Sequence, residues 1–154
     1  MNILVSACLL GVNSKYNSGN NYNEKVAELR SKHFLIPICP EQLGGLATPR
    51  LPAEIVNGDG SAVLSGNTWV KNSCDIDLSG QFIKGAIESL NIGILYGCNV
   101  AILKARSPSC GKGCIYDGTF TKTLRNGNGV SAQMLIDNGI RVFSESEDFF
   151  SYLK

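Results

Sequence analysis

The sequence predicts an α/β fold in which helices cover both faces of one doubly wound, mainly parallel sheet. Three observations carry this reading. Short apolar runs of strand length recur along the chain, segments with helical spacing separate them, and the first three runs each open into a loop rich in Gly, Pro or polar residues. A run that is apolar at every position fits a strand buried on both faces. Strands alternating with helices favour parallel pairing through right-handed crossovers.

Ile3-Leu4-Val5-Ser6-Ala7 is the first such run, ended by Cys8. After an Asn- and Gly-rich loop from Gly11 to Asn20, Asn23 stands in a capping position before the helical pattern Glu24 to Arg30. Phe34-Leu35-Ile36-Pro37-Ile38 reads as a second strand that stops at Cys39. From Pro40 to Pro52, prolines and the paired Gly44-Gly45 predict a long loop. Ser61 to Leu64 and Thr68 to Val70, flanking Ser65-Gly66-Asn67, predict a small hairpin. From Leu78 onward, Phe82, Ile83, Ala86, Ile87, Leu90, Ile94 and Leu95 recur at three- and four-residue steps, the stripe of the longest helix, with Gly93 as a point of bending. Val100 to Leu103 is the third core strand and Val130 to Asn138 a helix capped by Gly139. Ile140 to Phe143 is the fourth strand and Glu147 to Leu153 a closing helix. The order is that of a Rossmann-like sheet, which binds ligands outside the carboxyl ends of its strands.

Composition narrows the function. A length of 154 residues, with 44% hydrophobic and 18% charged residues, is expected to form a single domain spanning 1-154. A formal charge of +1 recommends neither nucleic acid nor an anionic membrane as partner. No apolar stretch reaches membrane-spanning length and the N-terminus has no secretion pattern, so a cytoplasmic protein is expected. Six cysteines in that setting point to metal, cluster or nucleophile chemistry rather than disulfides. The one histidine, His33, excludes sites built on several imidazoles and reads as a surface residue.

Cys8, Cys39 and Cys110 each fall at or just beyond the expected carboxyl end of a different strand. Free cysteine is often a small core hydrophobe, but three of them in Gly- and Pro-rich loops at one sheet edge favour ligation. Three thiolates can hold zinc with one open position, or a 4Fe-4S cluster with one iron lacking a protein ligand. Cys74 and Cys98 read as structural. Cys114, four residues after Cys110, is only weak evidence for a metal pair.

The blocks Val5 to Val12, Cys39 to Arg50 with Pro52-Ala53-Glu54, Leu103 to Gly111, Tyr116 to Phe120 and Gly127 to Val130 resemble the thiouracil desulfurase family. The resemblance runs from residue 2 to about Glu145. It implies an oxygen-sensitive 4Fe-4S cluster held by Cys8, Cys39 and Cys110, and iron-sulfur assembly machinery to supply it. It also implies non-redox replacement of a thiocarbonyl sulfur by oxygen, giving uracil and sulfide from 2- or 4-thiouracil. Ala47 where proline is common, a looser Lys15 to Gly19 loop and Ser131 in place of Thr depart from the pattern without touching an implied ligand.

Such chemistry calls for a general base, and Glu41, two residues after Cys39, is the carboxylate best placed for it. Ser107 and Ser109 either orient the base or form an ST-turn that holds the loop. Lys104 and Arg50 are candidates to bind substrate and steady anionic charge, and Arg106 shares the ambiguity. Gly44, Gly45 and Gly111 are expected to let the loops close on the cluster. Tyr116 and Trp69 are candidates to stack on a pyrimidine. Two other readings stand beside the desulfurase: a non-catalytic iron-sulfur protein that binds sulfide or senses oxygen or iron, and a cysteine-ligated zinc hydrolase.

Overall fold

The computed structural model describes residues 1–153. Four strands, β1 (Asn2–Ser6), β2 (Phe34–Ile38), β5 (Val100–Leu103) and β8 (Arg141–Ser144), form one sheet in the order β2-β1-β5-β8. Every pairing in it is parallel. Alternation sorts its residues to two faces. Leu4, Ala101, Leu103 and Val142 pack on one side under α4 (Ser79–Leu95) and α5 (Val130–Asp137). Ile3, Val5, Val100 and Ile102 pack on the other, under Val26 and Leu29 and the C-terminal Phe149 and Leu153. Pro37 sits on the edge strand β2, where its missing N–H removes no ladder bond from an interior pairing.

Helix α1 (Glu24–Glu28) starts as expected, the Asn23 side chain accepting the Val26 N–H at 3.2 Å. Three expectations are corrected. The segment Ser61 to Leu64 is not a hairpin arm but lies in helix α3 (Gly60–Leu64), because Asp59 caps it by accepting the Ala62 N–H at 3.0 Å. The partner of β4 (Val70–Asn72) is instead β3 (Ala53–Ile55), in an antiparallel pair that includes a strand too short to show in the pattern. A second small pair, β6 (Cys114–Tyr116) with β7 (Leu124–Asn126), is likewise antiparallel. The closing helix is absent: residues 145–152 form turns, starting where the Glu147 carboxylate accepts the Ser144 N–H at 2.6 Å.

The expected loop after Cys39 contains a one-turn helix, α2 (Pro40–Leu43), with proline at its first position where no intrahelical N–H is required. Helix α4 crosses it at unusual proximity. A Cβ on Gly44 would lie 2.0 Å from the Gln81 carbonyl oxygen, and one on Gly85 would lie 1.9 Å from that of Pro40. The buried face of α4 is therefore Phe82, Gly85, Ala86, Ser89 and Gly93, while Ile94 and Leu95, expected in the stripe, are 67% and 77% exposed. Gly93 serves close packing against Leu4 and Ile140.

Candidate active site

From β1 the chain passes to β2 on one side and later to β5 on the other, so the carboxyl ends of β1 and β5 flank a switch point. A cavity of about 670 Å³ opens there, and Cys8, Cys39 and Cys110 all line it. Each thiol is delivered by a different local device. Cys8 lies in a 3₁₀ turn, Ala7–Leu10, that Gly11 ends in a left-handed conformation (φ 90°). Cys39 caps α2, and its Sγ lies 3.7 Å from the Ser14 carbonyl oxygen, to which it donates. Cys110 closes a turn in which Ser107 Oγ accepts the N–H groups of Ser109 and Cys110, both at 3.1 Å. That turn is fastened to the start of α5, where Val130 N–H donates to Pro108 O and Ser131 N–H to Ser109 O.

Burial pushes the Cys110 thiol far above its ordinary range, against a hydrogen bond with Ser6, while Cys8, Glu41 and Cys39 nearby push it further. Burial also raises the Cys8 thiol; Asn21 opposes this and Cys39 adds to it. The three thiols thus share one electrostatic environment. Among the described residues no three His, Cys, Asp or Glu side chains converge closely enough to hold a single metal ion. Soft thiols arrayed on three loops around a cavity match a cysteine-ligated cluster, a larger group than one ion, so the donor set fits the implied 4Fe-4S cofactor.

Glu41 and Arg50 line the same cavity as an ion pair, their side chains 16% and 11% exposed. Arg50 Nε donates to Glu41 Oε2 at 2.7 Å, Nη1 to Thr48 Oγ1 at 2.9 Å and Nη2 to the Ser14 carbonyl at 2.9 Å. The guanidinium fork is thus committed to the protein. Lys104 lines the cavity too, its Nζ donating to Glu145 Oε1 at 2.5 Å and its backbone N–H to Ser6 Oγ at 2.9 Å. Ser109 is buried, with its Oγ 3.1 Å from Ser131 Oγ. Arg106 also reaches the cavity, in a left-handed conformation (φ 67°).

The remaining candidates separate clearly. Tyr116 lines the cavity; Trp69 does not, and carries Lys71 Nζ 5.9 Å from its ring centroid. Cys98 is buried in the core, Cys74 is exposed, and Cys114 lies on β6 outside the cavity wall. Gly44 packs against α4 rather than facing the cavity. His33 stands beside the N-terminus, its Nδ1 3.5 Å from the Met1 ammonium. Residues to which the sequence reading gave no individual role include Ser6, Ser14, Glu54, Phe120 and Glu145, all in the cavity wall. Glu145 was discoverable by the rule that found the cysteines, since it directly follows the carboxyl end of β8.

The family model described as 2-thiouracil desulfurase matches residues 3–147. The chain belongs to the 2-thiouracil desulfurase family. An uncharacterized protein of Bacillus subtilis (strain 168), YbbK, is 41% identical over 145 residues, covering 94% of this chain and 96% of its own. Among solved structures, the 4Fe-4S-dependent thiouracil desulfidase TudS superposes with a TM-score of 0.85 at 34% identity, covering 99% of this chain and 95% of its own.

Proposed function

We propose that this member of the desulfurase family is an enzyme that exchanges the thiocarbonyl sulfur of a small thiolated pyrimidine, 2- or 4-thiouracil, for oxygen. The observation that carries the reading is the meeting of Cys8, Cys39 and Cys110 at one cavity beside a held carboxylate, Glu41. Water and the thiocarbonyl compound give the carbonyl compound and hydrogen sulfide, with no change in redox state.

Cys8, Cys39 and Cys110 would hold a 4Fe-4S cluster, obtained from iron-sulfur assembly machinery, within the single domain 1-154. When bound, the cluster would supply Lewis acidity towards a soft thiocarbonyl sulfur. Glu41 takes a proton from the attacking water. Arg50 holds that carboxylate in one orientation; its role is to position Glu41 rather than to contact the ring. Lys104, steadied by Glu145, presents positive charge to the pyrimidine oxygen or the departing sulfide. Ser107 shapes the turn that presents Cys110, and Ser109 anchors that turn to α5 through Ser131.

Anaerobic reconstitution with iron and sulfide, followed by sulfide-release assays on 2- and 4-thiouracil, tests the reading. It predicts about four irons per chain and turnover lost in Cys39→Ala and Cys110→Ala. Zinc retained by freshly purified protein with no iron uptake would favour the hydrolase instead, and a loaded cluster inert towards both thiouracils would favour sulfide binding or sensing.

A further inference from the structure

One wall of the cavity has no part in the chemistry above. Phe120, in the turn joining β6 to β7, lines the cavity yet belongs to none of the hydrophobic core clusters. Its backbone is left-handed (φ 58°), a conformation that bulky side chains avoid, and Lys122 two residues on is left-handed as well (φ 62°). Strain of this kind persists only where the surroundings impose it.

The restraint is Glu54 on β3, 8% exposed, whose Oε1 accepts the N–H groups of Gly118 at 3.0 Å and Phe120 at 3.2 Å. Gly118 (φ 93°) lets the turn lie against β3, since a Cβ there would sit 2.5 Å from the Ile55 carbonyl oxygen. Lys71 Nζ, 5.9 Å from the Phe120 centroid, steadies the ring from β4. A buried carboxylate is thus spent on the backbone of a turn whose aromatic side chain faces a cavity instead of a core. The other aromatic rings in the wall lack such a device: Phe82 is core, Tyr16 is exposed, and Tyr116 follows from ordinary strand pairing.

We propose that Phe120 is the stacking surface for the substrate's planar heteroaromatic ring and that Glu54 is its positioning residue. The inference rests on the reading of the cavity as a thiolated-pyrimidine site. Aromatic stacking on a base is sequence-tolerant and is lost on truncation to alanine, so this wall recognises the ring, not its sulfur.

The test uses anaerobically reconstituted, cluster-loaded protein and two probes: steady-state kinetics on 4-thiouracil, and calorimetric binding of uracil, which has no sulfur to lose. Phe120→Ala is expected to raise KM and weaken uracil binding by about tenfold or more, with kcat changed far less and cluster absorbance unchanged. Phe120→Tyr retains binding and Phe120→Leu does not. Glu54→Gln, which keeps an accepting oxygen, stays close to the native protein, whereas Glu54→Ala follows Phe120→Ala. Unchanged KM and uracil binding in Phe120→Ala overturn the proposal, as does equal binding by the Leu and Tyr variants, the deciding pair if the Ala variant fails to fold. Native protein that binds uracil through Phe120 but releases no sulfide would refute the desulfurase reading and leave the stacking role standing. Native protein that binds no pyrimidine would overturn the stacking role.

Discussion

Arg50 reaches back across nine residues to grip Glu41, its Nε donating to Oε2 at 2.7 Å while Nη2 ties the same loop to Ser14. A carboxylate so held keeps its direction towards the cavity without a substrate present. Two variants separate geometry from proton transfer. Glu41→Gln keeps an oxygen for Arg50 but removes the base, and is expected to lower kcat by about 10²- to 10⁴-fold with a smaller loss of Tm than Arg50→Ala, since the Arg50 charge loses its counter-charge but keeps a hydrogen-bond acceptor. Arg50→Ala removes the hold and is expected to lower stability by about 2–3 kcal/mol as well as activity. Thermal unfolding beside sulfide-release rates reads both effects.

The glycine contact between α2 and α4 makes a second prediction. Gly85→Ala places a methyl group against the Pro40 carbonyl, whose residue directly follows Cys39. Overpacking of this kind costs about 1–3 kcal/mol, and because Cys39 caps the displaced helix, iron content per folded chain is expected to fall as well. Far-UV circular dichroism with iron analysis distinguishes this from simple unfolding.

Accessibility predicts the order in which thiols react. In cluster-free protein under mild alkylation near neutral pH, exposed Cys74 is modified first, while buried Cys98 and Cys110, whose thiols burial pushes upward, are modified last. Peptide mapping by mass spectrometry over time reads the order directly.

Glu147 predicts part of the acid limb. Burial alone would raise its carboxyl, but the Lys112 ammonium at 2.6 Å and the Ser144 N–H outweigh it, and the group titrates below its ordinary value of 4.5. A depressed folded-state value stabilises the protein above the ordinary value, and that contribution is lost as pH falls through the folded value. Glu147→Gln is therefore expected to unfold more easily than the native protein at neutral pH. The gap should close as pH falls below the folded value, where both are uncharged at this position, as read from denaturant midpoints against pH.

The four core strands and the three cysteines were legible because the strands write themselves as short, largely apolar runs, although only β1 and β5 are buried on both faces while the outer strands β2 and β8 are partly exposed. The pair β3-β4 was not, because Ala53–Ile55 is only three residues long, among prolines, and because a single cap at Asp59 turned Ser61 to Leu64 into helix. The stripe of α4 held at Phe82 and Ala86 and misled elsewhere for a physical reason: close crossing selects small residues, so Gly85 and Ser89 are buried while Ile94 and Leu95 are exposed. The closing segment keeps helical spacing over too few residues to propagate, and Phe149 and Leu153 reach the sheet from turns instead. In the site, ligand types and loop positions are properties of local sequence. The pairings of Arg50 with Glu41, Lys104 with Glu145, and Glu54 with the turn of Phe120 are properties of the folded chain.

The central claim is hydrolytic exchange of sulfur for oxygen, and isotope transfer tests it most directly. Cluster-loaded protein turned over anaerobically on 4-thiouracil in ¹⁸O-water, without reductant or oxidant, is predicted to yield uracil carrying one ¹⁸O and one equivalent of sulfide. Product without the label, or sulfide release that requires an added electron donor, would contradict the account.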